Sequence, residues 1–184
     1  MKPSHLALVA LCAWLPAAIA QHTDAGHHQH GASEPAKHAH GPYAGMQGRA
    51  IKALSDQQLS DLRAGKGMSL ALPAELNGYP GPSHTLELAE PLKLTAEQKS
   101  RTQALFAQMQ QEAKAVGEQV IAAEAALDAL FKVKTVTPDA LRTATRAAAL
   151  AQGNLRETHL RYHLAMVELL SPEQVAAYNR LRGY

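Results

Sequence analysis

Nine of the ten histidines in this 184-residue chain fall in two settings where imidazole has chemistry open to it. His22, His27, His28, His30, His38 and His40 crowd into about twenty residues near the N-terminus. Neutral imidazole is a good ligand for zinc, copper and nickel, and a mobile segment can wrap several rings around one ion. Such a site is adaptable and unselective; the competing reading is a solvated low-complexity linker. The other three are His84, His159 and His163. His159 and His163 are four apart, which on a helix puts both rings on one face, with Met166 three residues further along that flank. His84 has Glu87 one helical turn beyond it. Three imidazoles joined by a carboxylate (Glu87) or a thioether (Met166) suit Zn, Cu, Ni or Co better than Ca or Mg, which want mostly oxygen. The alternative is three rings that hydrogen-bond to backbone or pack beside Tyr162.

Elements that would hold these rings are readable from periodicity. Leu105, Met109, Val116, Val120, Leu127 and Phe131 recur at alternating steps of four and seven, which predicts a long helix from Thr95 to about Lys132 with one packed seam. Thr137-Pro138 reads as an N-cap followed by proline in the first helical position. In the next helix Leu141, Ala148, Leu155, Tyr162 and Leu169 repeat every seven residues, with Ala144, Ala151 and Ala165 on the same stripe. Two long helices joined by a short connection must lie antiparallel, so the expected fold class is all-α. A brief helix through Leu86, Leu88 and Ala89 precedes them and stops at Pro91. Further upstream, Ile51, Leu54, Leu59 and Leu62 predict a short amphipathic helix over about 47–64, ended by Gly65-Lys66-Gly67. The stretch from there to Gly78-Tyr79-Pro80-Gly81-Pro82 is dense in glycine and proline and reads as a loop.

The ends and the composition narrow the function classes. Lys2, an apolar run from Leu6 to Leu15 and the small-residue ending Ala18-Ile19-Ala20 make residues 1–20 a secretory signal peptide, with cleavage expected after Ala20. The run is roughly half of the ~20 residues needed to cross a bilayer, so a soluble periplasmic protein is expected. Lipidation at Cys12 is the weaker alternative, because Leu11 stands where a small residue is wanted. Cys12 is the lone cysteine, so cleavage removes every thiol, and with it disulfides, cysteine zinc sites and thiol nucleophiles. Residues 21–45 are His, Gly, Ala, Pro and polar residues with Tyr43 the one large hydrophobe, which predicts a disordered His-rich tail. Without Lys2 the chain holds 17 Lys and Arg against 16 Asp and Glu, too balanced for a nucleic-acid binder. The expected division is a signal peptide (1–20), the tail (21–45), a short helix with a Gly/Pro-rich loop (46–82) and a helical hairpin domain (83–184).

One local pattern occurs three times: Leu54-Ser55-Asp56-Gln57-Gln58, Leu94-Thr95-Ala96-Glu97-Gln98 and Leu170-Ser171-Pro172-Glu173-Gln174. Each is a capping box, in which the hydroxyl accepts the N–H three residues on and the glutamine reaches back to the cap's own N–H. On the second and third copies, and on the long hairpin behind a signal peptide, the chain resembles the LTXXQ family of periplasmic proteins. That family includes the Spy and CpxP chaperone-like stress proteins and the CnrX and ZraP metal-responsive proteins. The resemblance runs from about Ser83 to the C-terminus. It implies a four-helix hooked antiparallel hairpin, often a homodimer, that senses or buffers heavy metal or holds unfolded proteins, and no catalysis. CnrX-type sensors are similar in placing ligands just before the first capping motif and again, as His and Met, on the helix before the second. This chain differs in having one His in the first region and a three-residue step from His163 to Met166.

Two functions follow as expectations. The first is a periplasmic metal-binding protein, either a sensor with a membrane signalling partner or a buffer. The alternative is an ATP-independent chaperone for unfolded client proteins, with Lys114, Lys132, Lys134, Arg142, Arg146, Arg156 and Arg161 supplying charge beside scattered apolar side chains; those cations read more readily as an ordinary solvated surface. An enzyme is the weakest reading. There is no Gly-rich phosphate loop, no nucleophile elbow and no His-Glu-x-x-His pair, and Glu87 is the one candidate general base for a hydrolytic centre.

Overall fold

The three Leu-Ser/Thr-x-x-Gln segments each start a helix, and they organise the fold. In the computed structural model, which describes residues 41–184, Ser55, Thr95 and Ser171 are N-caps with extended backbone. Each cap oxygen accepts the N–H of Gln58, Gln98 or Gln174, and each glutamine returns the bond to its own cap. The expected signal peptide and the six N-terminal histidines lie outside the described residues.

Six α-helices follow in order: α1 (Asp56–Ala64), α2 (Leu72–Glu75), α3 (Pro82–Glu87), α4 (Ala96–Lys132), α5 (Pro138–Leu169) and α6 (Pro172–Arg182). The described residues contain no β-strand, and the fold is all-α. Thr137 caps α5 through the Ala140 N–H, with Pro138 in the first turn, where its missing N–H costs nothing. At 37 and 32 residues, α4 and α5 form a hairpin roughly 50 Å long. From Pro82 onward the chain has four helices. No helix of the described residues is long and apolar enough to cross a membrane.

Upstream, the structure differs from the periodicity in two places. The helix expected over about 47–64 is reduced to Asp56–Ala64, because Ser55 starts a new helix and the chain before it makes only tight turns and one 3-10 turn, Met46–Gly48. The stretch read as loop contains α2, whose Pro73 sits in its first turn, followed by a reversal at Gly78 (φ 85°). Residues 42–45, assigned above to the tail, form a turn that runs into the 3-10 helix.

Packing is uneven along the hairpin. Leu59 and Leu62 of α1, with Ile51 and Leu54, bury against Ala113, Val120 and Ile121 of α4 and Ala151 and Leu155 of α5. Gly117 lets α1 lie this close: a Cβ there would come within 2.5 Å of the Leu62 carbonyl oxygen. Toward the tip this cover runs out, and no residue from 122 to 147 is buried. The expected seam therefore holds at Met109 and Val120 but runs out toward the tip, where Phe131 is 54 % exposed. On α5, Ala148, Leu155 and Tyr162 are buried as their spacing predicts, whereas Leu141, near the tip, is exposed.

Candidate metal centre

Helix α5 brings His159 and His163 to its buried face, one turn apart as the spacing requires. Opposite them, Pro80-Gly81-Pro82 turns the chain from α2 into α3, whose His84 faces α2. These elements line a half-open cavity of about 440 Å³. Its wall includes His84, His159, His163, Glu75, Met109 and Phe106, and the loop from Gly65 to Ser69 closes it on one side.

His163 has one nitrogen assigned by geometry. Its Nδ1 lies 2.7 Å from the Tyr79 carbonyl oxygen, an acceptor, so Nδ1 carries the proton and Nε2 keeps its lone pair in the neutral ring. Nδ1 is also 3.8 Å from Glu75 Oε2. Gly81 passes directly over this ring, since a Cβ there would stand 2.8 Å from His163 Cε1 and 3.3 Å from Glu75 Oε2.

His159 is 2 % exposed, and its Nε2 is buried without a hydrogen-bond partner. Burial pushes its pKa below the ordinary imidazole value, and the neighbouring His163 adds to the effect. The ring is therefore neutral near pH 7, with a lone pair available. An unpartnered buried polar nitrogen costs about 1–3 kcal/mol, which a bound ion would recover. The loop beside it is strained: Met68 and Ser69 both hold left-handed backbone, φ 42° and 64°, at roughly 1–2 kcal/mol each for residues with a Cβ. A Cβ at Gly67 would meet the His159 ring at ordinary van der Waals distance, 3.9 Å from Nδ1.

Glu75 is the group that the sequence did not mark. It is a carboxylate only 5 % exposed, and its Oε1 gathers most of the donors around it. The Tyr178 hydroxyl donates to Oε1, His84 Nδ1 is 3.0 Å from it, the Tyr184 hydroxyl 3.4 Å and Arg182 Nε 3.5 Å. Desolvation, followed by the bond to Glu75, pushes the Tyr178 phenol far above its usual range, so it stays a donor. Oε2 accepts no hydrogen bond and sits on the His163 side.

Of the five residues singled out for ligation, the structure brings three together: His84, His159 and His163 line one cavity. Glu87 is exposed and does not reach it; Glu75, from the preceding short helix, takes the carboxylate's place. Met166 is fully buried on the same face of α5 but is not in the cavity wall, where Met109 and Met68 supply the thioethers. A three-residue step carries Met166 back round the helix from His163, into the core. Among the described residues no three carboxylate and imidazole groups are already arrayed as an ion's ligand set, so loading requires side-chain rotation, and the half-buried His84 has the room for it.

The donors fit a transition metal in kind: three imidazoles, one of them buried, neutral and unpartnered, and a carboxylate with one oxygen unengaged. Comparison with family models, with curated proteins and with solved structures gives no match for this chain.

Proposed function

We propose that this protein is a periplasmic transition-metal-binding protein of the helical-hairpin type, acting as a sensor or buffer, with its specific site in the cavity between α5 and the α2–α3 turn. The observation that carries this reading is the buried, unpartnered Nε2 of His159, on a ring that lines one cavity with His163, His84 and Glu75. His159, His163, His84 and Glu75 would hold the ion, and Tyr79 would orient one ligand through its carbonyl. Zinc, nickel, cobalt and copper(II) fit this set better than calcium or magnesium. Bound there, an ion supplies charge and cross-linking between α5 and the α2–α3 turn. The resemblance to LTXXQ proteins points the same way.

The test is calorimetric titration of the chain with Zn(II), Ni(II) and Cu(II), beside the His159→Ala/His163→Ala variant. A tight one-to-one isotherm that the variant loses supports the reading. Binding that survives in the variant assigns the metal to the N-terminal histidines instead.

A second reading, an ATP-independent chaperone, is favoured by one observation. The outer face of α5 and the hairpin tip carry Leu150 (65 % exposed), Leu164 (56 %), Phe131 and Val133 uncovered. Several of the nearby cations are already paired, Lys132 with Asp128 and Arg161 with Glu112 and Glu157. A chaperone would still suppress aggregation of an unfolding client after the His159→Ala/His163→Ala change.

A further inference from the structure

We infer that the C-terminal helix α6 is a working part of the metal site: Tyr178, with Tyr184 and beside the Arg182 charge, holds Glu75 by Oε1 and presents Oε2 to the cavity, so that ion occupancy and α6 docking stabilise each other. The inference rests on the metal-binding reading above and assigns to that site its positioning residues and its output.

The argument starts from the two oxygens of one carboxylate. Oε1 is engaged on the α6 side by the Tyr178 hydroxyl, with the Tyr184 hydroxyl and Arg182 Nε at 3.4 and 3.5 Å. Oε2 accepts no hydrogen bond and lies 3.8 Å from His163 Nδ1. A carboxylate has lone pairs for both tasks, so it can ligate through Oε2 without releasing Tyr178. Outer partners of this kind fix a ligand's direction, and their loss typically costs 10–100-fold in metal affinity.

Tyr178 also reaches the α2–α3 turn. Its hydroxyl oxygen is 3.5 Å from the Gly81 N–H, and the neighbouring Tyr79 carbonyl holds His163 Nδ1. One fully buried phenol thereby touches both the carboxylate and the turn that orients an imidazole. The far end of α6 is fixed separately, through Gln174. The helix is thus tied at its start by amide bonds remote from the cavity and at its end by Glu75 alone among the acidic groups. An ion held by Oε2 would fix the Glu75 side chain in the orientation that α6 grips, and so support this second tie by ordering it. Linkage makes the effect reciprocal: whatever factor α6 contacts add to metal affinity, the metal adds to α6 docking.

The experiment is amide hydrogen exchange on the full chain with and without Zn(II), joined to Co(II) titrations followed by visible absorption. The expected result is several-fold slower exchange over residues 178–184 on adding Zn(II) to the wild type, absent in His159→Ala/His163→Ala. Tyr178→Phe should bind Co(II) about 10–100-fold more weakly and shift its absorption bands, with unchanged far-ultraviolet helicity. If Tyr178→Phe does not fold, Tyr184→Phe and Arg182→Gln, both nearer the surface, carry the same test with smaller losses. Histidine-dependent binding with unchanged α6 exchange and unaltered affinity in these variants overturns the inference and leaves the metal site standing. Absence of any histidine-dependent binding overturns both.

Discussion

The side-chain amides of Gln98 and Gln174 bond to each other head to tail: Gln98 Nε2 donates to Gln174 Oε1 at 2.8 Å, and Gln174 Nε2 returns the bond at 3.0 Å. Each oxygen also accepts the backbone N–H of its own cap, Thr95 or Ser171. Each nitrogen spends its second proton on a carbonyl, Leu169 for Gln98 and Leu92 for Gln174. Both amides are therefore saturated, and the motif that starts a helix locally also joins the start of α4 to the start of α6.

That pairing separates two roles of one sequence pattern. Gln98→Ala or Gln174→Ala leaves several half-buried partners unsatisfied and should destabilise the fold by about 2–3 kcal/mol. Gln58→Ala removes only a local capping bond to Ser55 and should cost about 1 kcal/mol or less. Urea denaturation of the three variants checks the ranking. Equal losses at all three positions would mean that the cross-helix amide pair contributes nothing.

What the chain discloses without its structure follows the range of the forces involved. Ser55, Thr95 and Ser171 were legible as caps because a capping box closes within four residues. His159 and His163 were legible as a pair because one helical turn relates them. Glu75 was not, since it lies in a stretch dominated by glycine and proline and its meaning comes from Tyr178 and Tyr184, 103 and 109 residues away. Phe131 misled for a related reason: its heptad position is correct, but burial there needs a third helix, and α1 is too short to reach it.

The close approach at Gly117 gives a second prediction. Alanine in mid-helix normally gains about 1 kcal/mol over glycine. Here the new Cβ would meet backbone, the Leu62 carbonyl at 2.5 Å, which cannot rotate away. Gly117→Ala should therefore destabilise by about 1–3 kcal/mol, with α1 displaced. Thermal unfolding combined with hydrogen exchange on residues 56–64 reads it; a stabilised variant would show that α1 does not pack as described.

Gly81→Ala addresses the site instead of the core. Its Cβ would press on the end of a side chain, His163 Cε1 at 2.8 Å, and crowd Glu75 Oε2 at 3.3 Å. Those atoms can give way, so the fold should survive with a loss of roughly 1–2 kcal/mol. Metal affinity should fall by about tenfold or more, because the imidazole and the carboxylate are both turned from their directions. Calorimetry on the variant decides it: affinity equal to wild type would show that His163 and Glu75 are not ligands.

The buried imidazole of His159 makes stability depend on pH, with a sign that can be worked out. Its folded-state pKa is depressed, chiefly by burial and then by His163, below the value of about 6.5 it has when unfolded. Between the two values the unfolded chain binds more protons than the folded one, so stability rises with pH there. The contribution is complete above about pH 6.5 and is lost as pH falls through the folded pKa. His159→Gln, which keeps a polar group without the titration, should flatten this part of the curve while the contributions of the carboxylates remain. Urea midpoints for the metal-free protein from pH 7.5 down to 5 provide the comparison, and parallel curves for wild type and variant would show that His159 is not buried neutral. Adding Zn(II) should steepen the wild-type curve, since protons and the ion compete for the same lone pair.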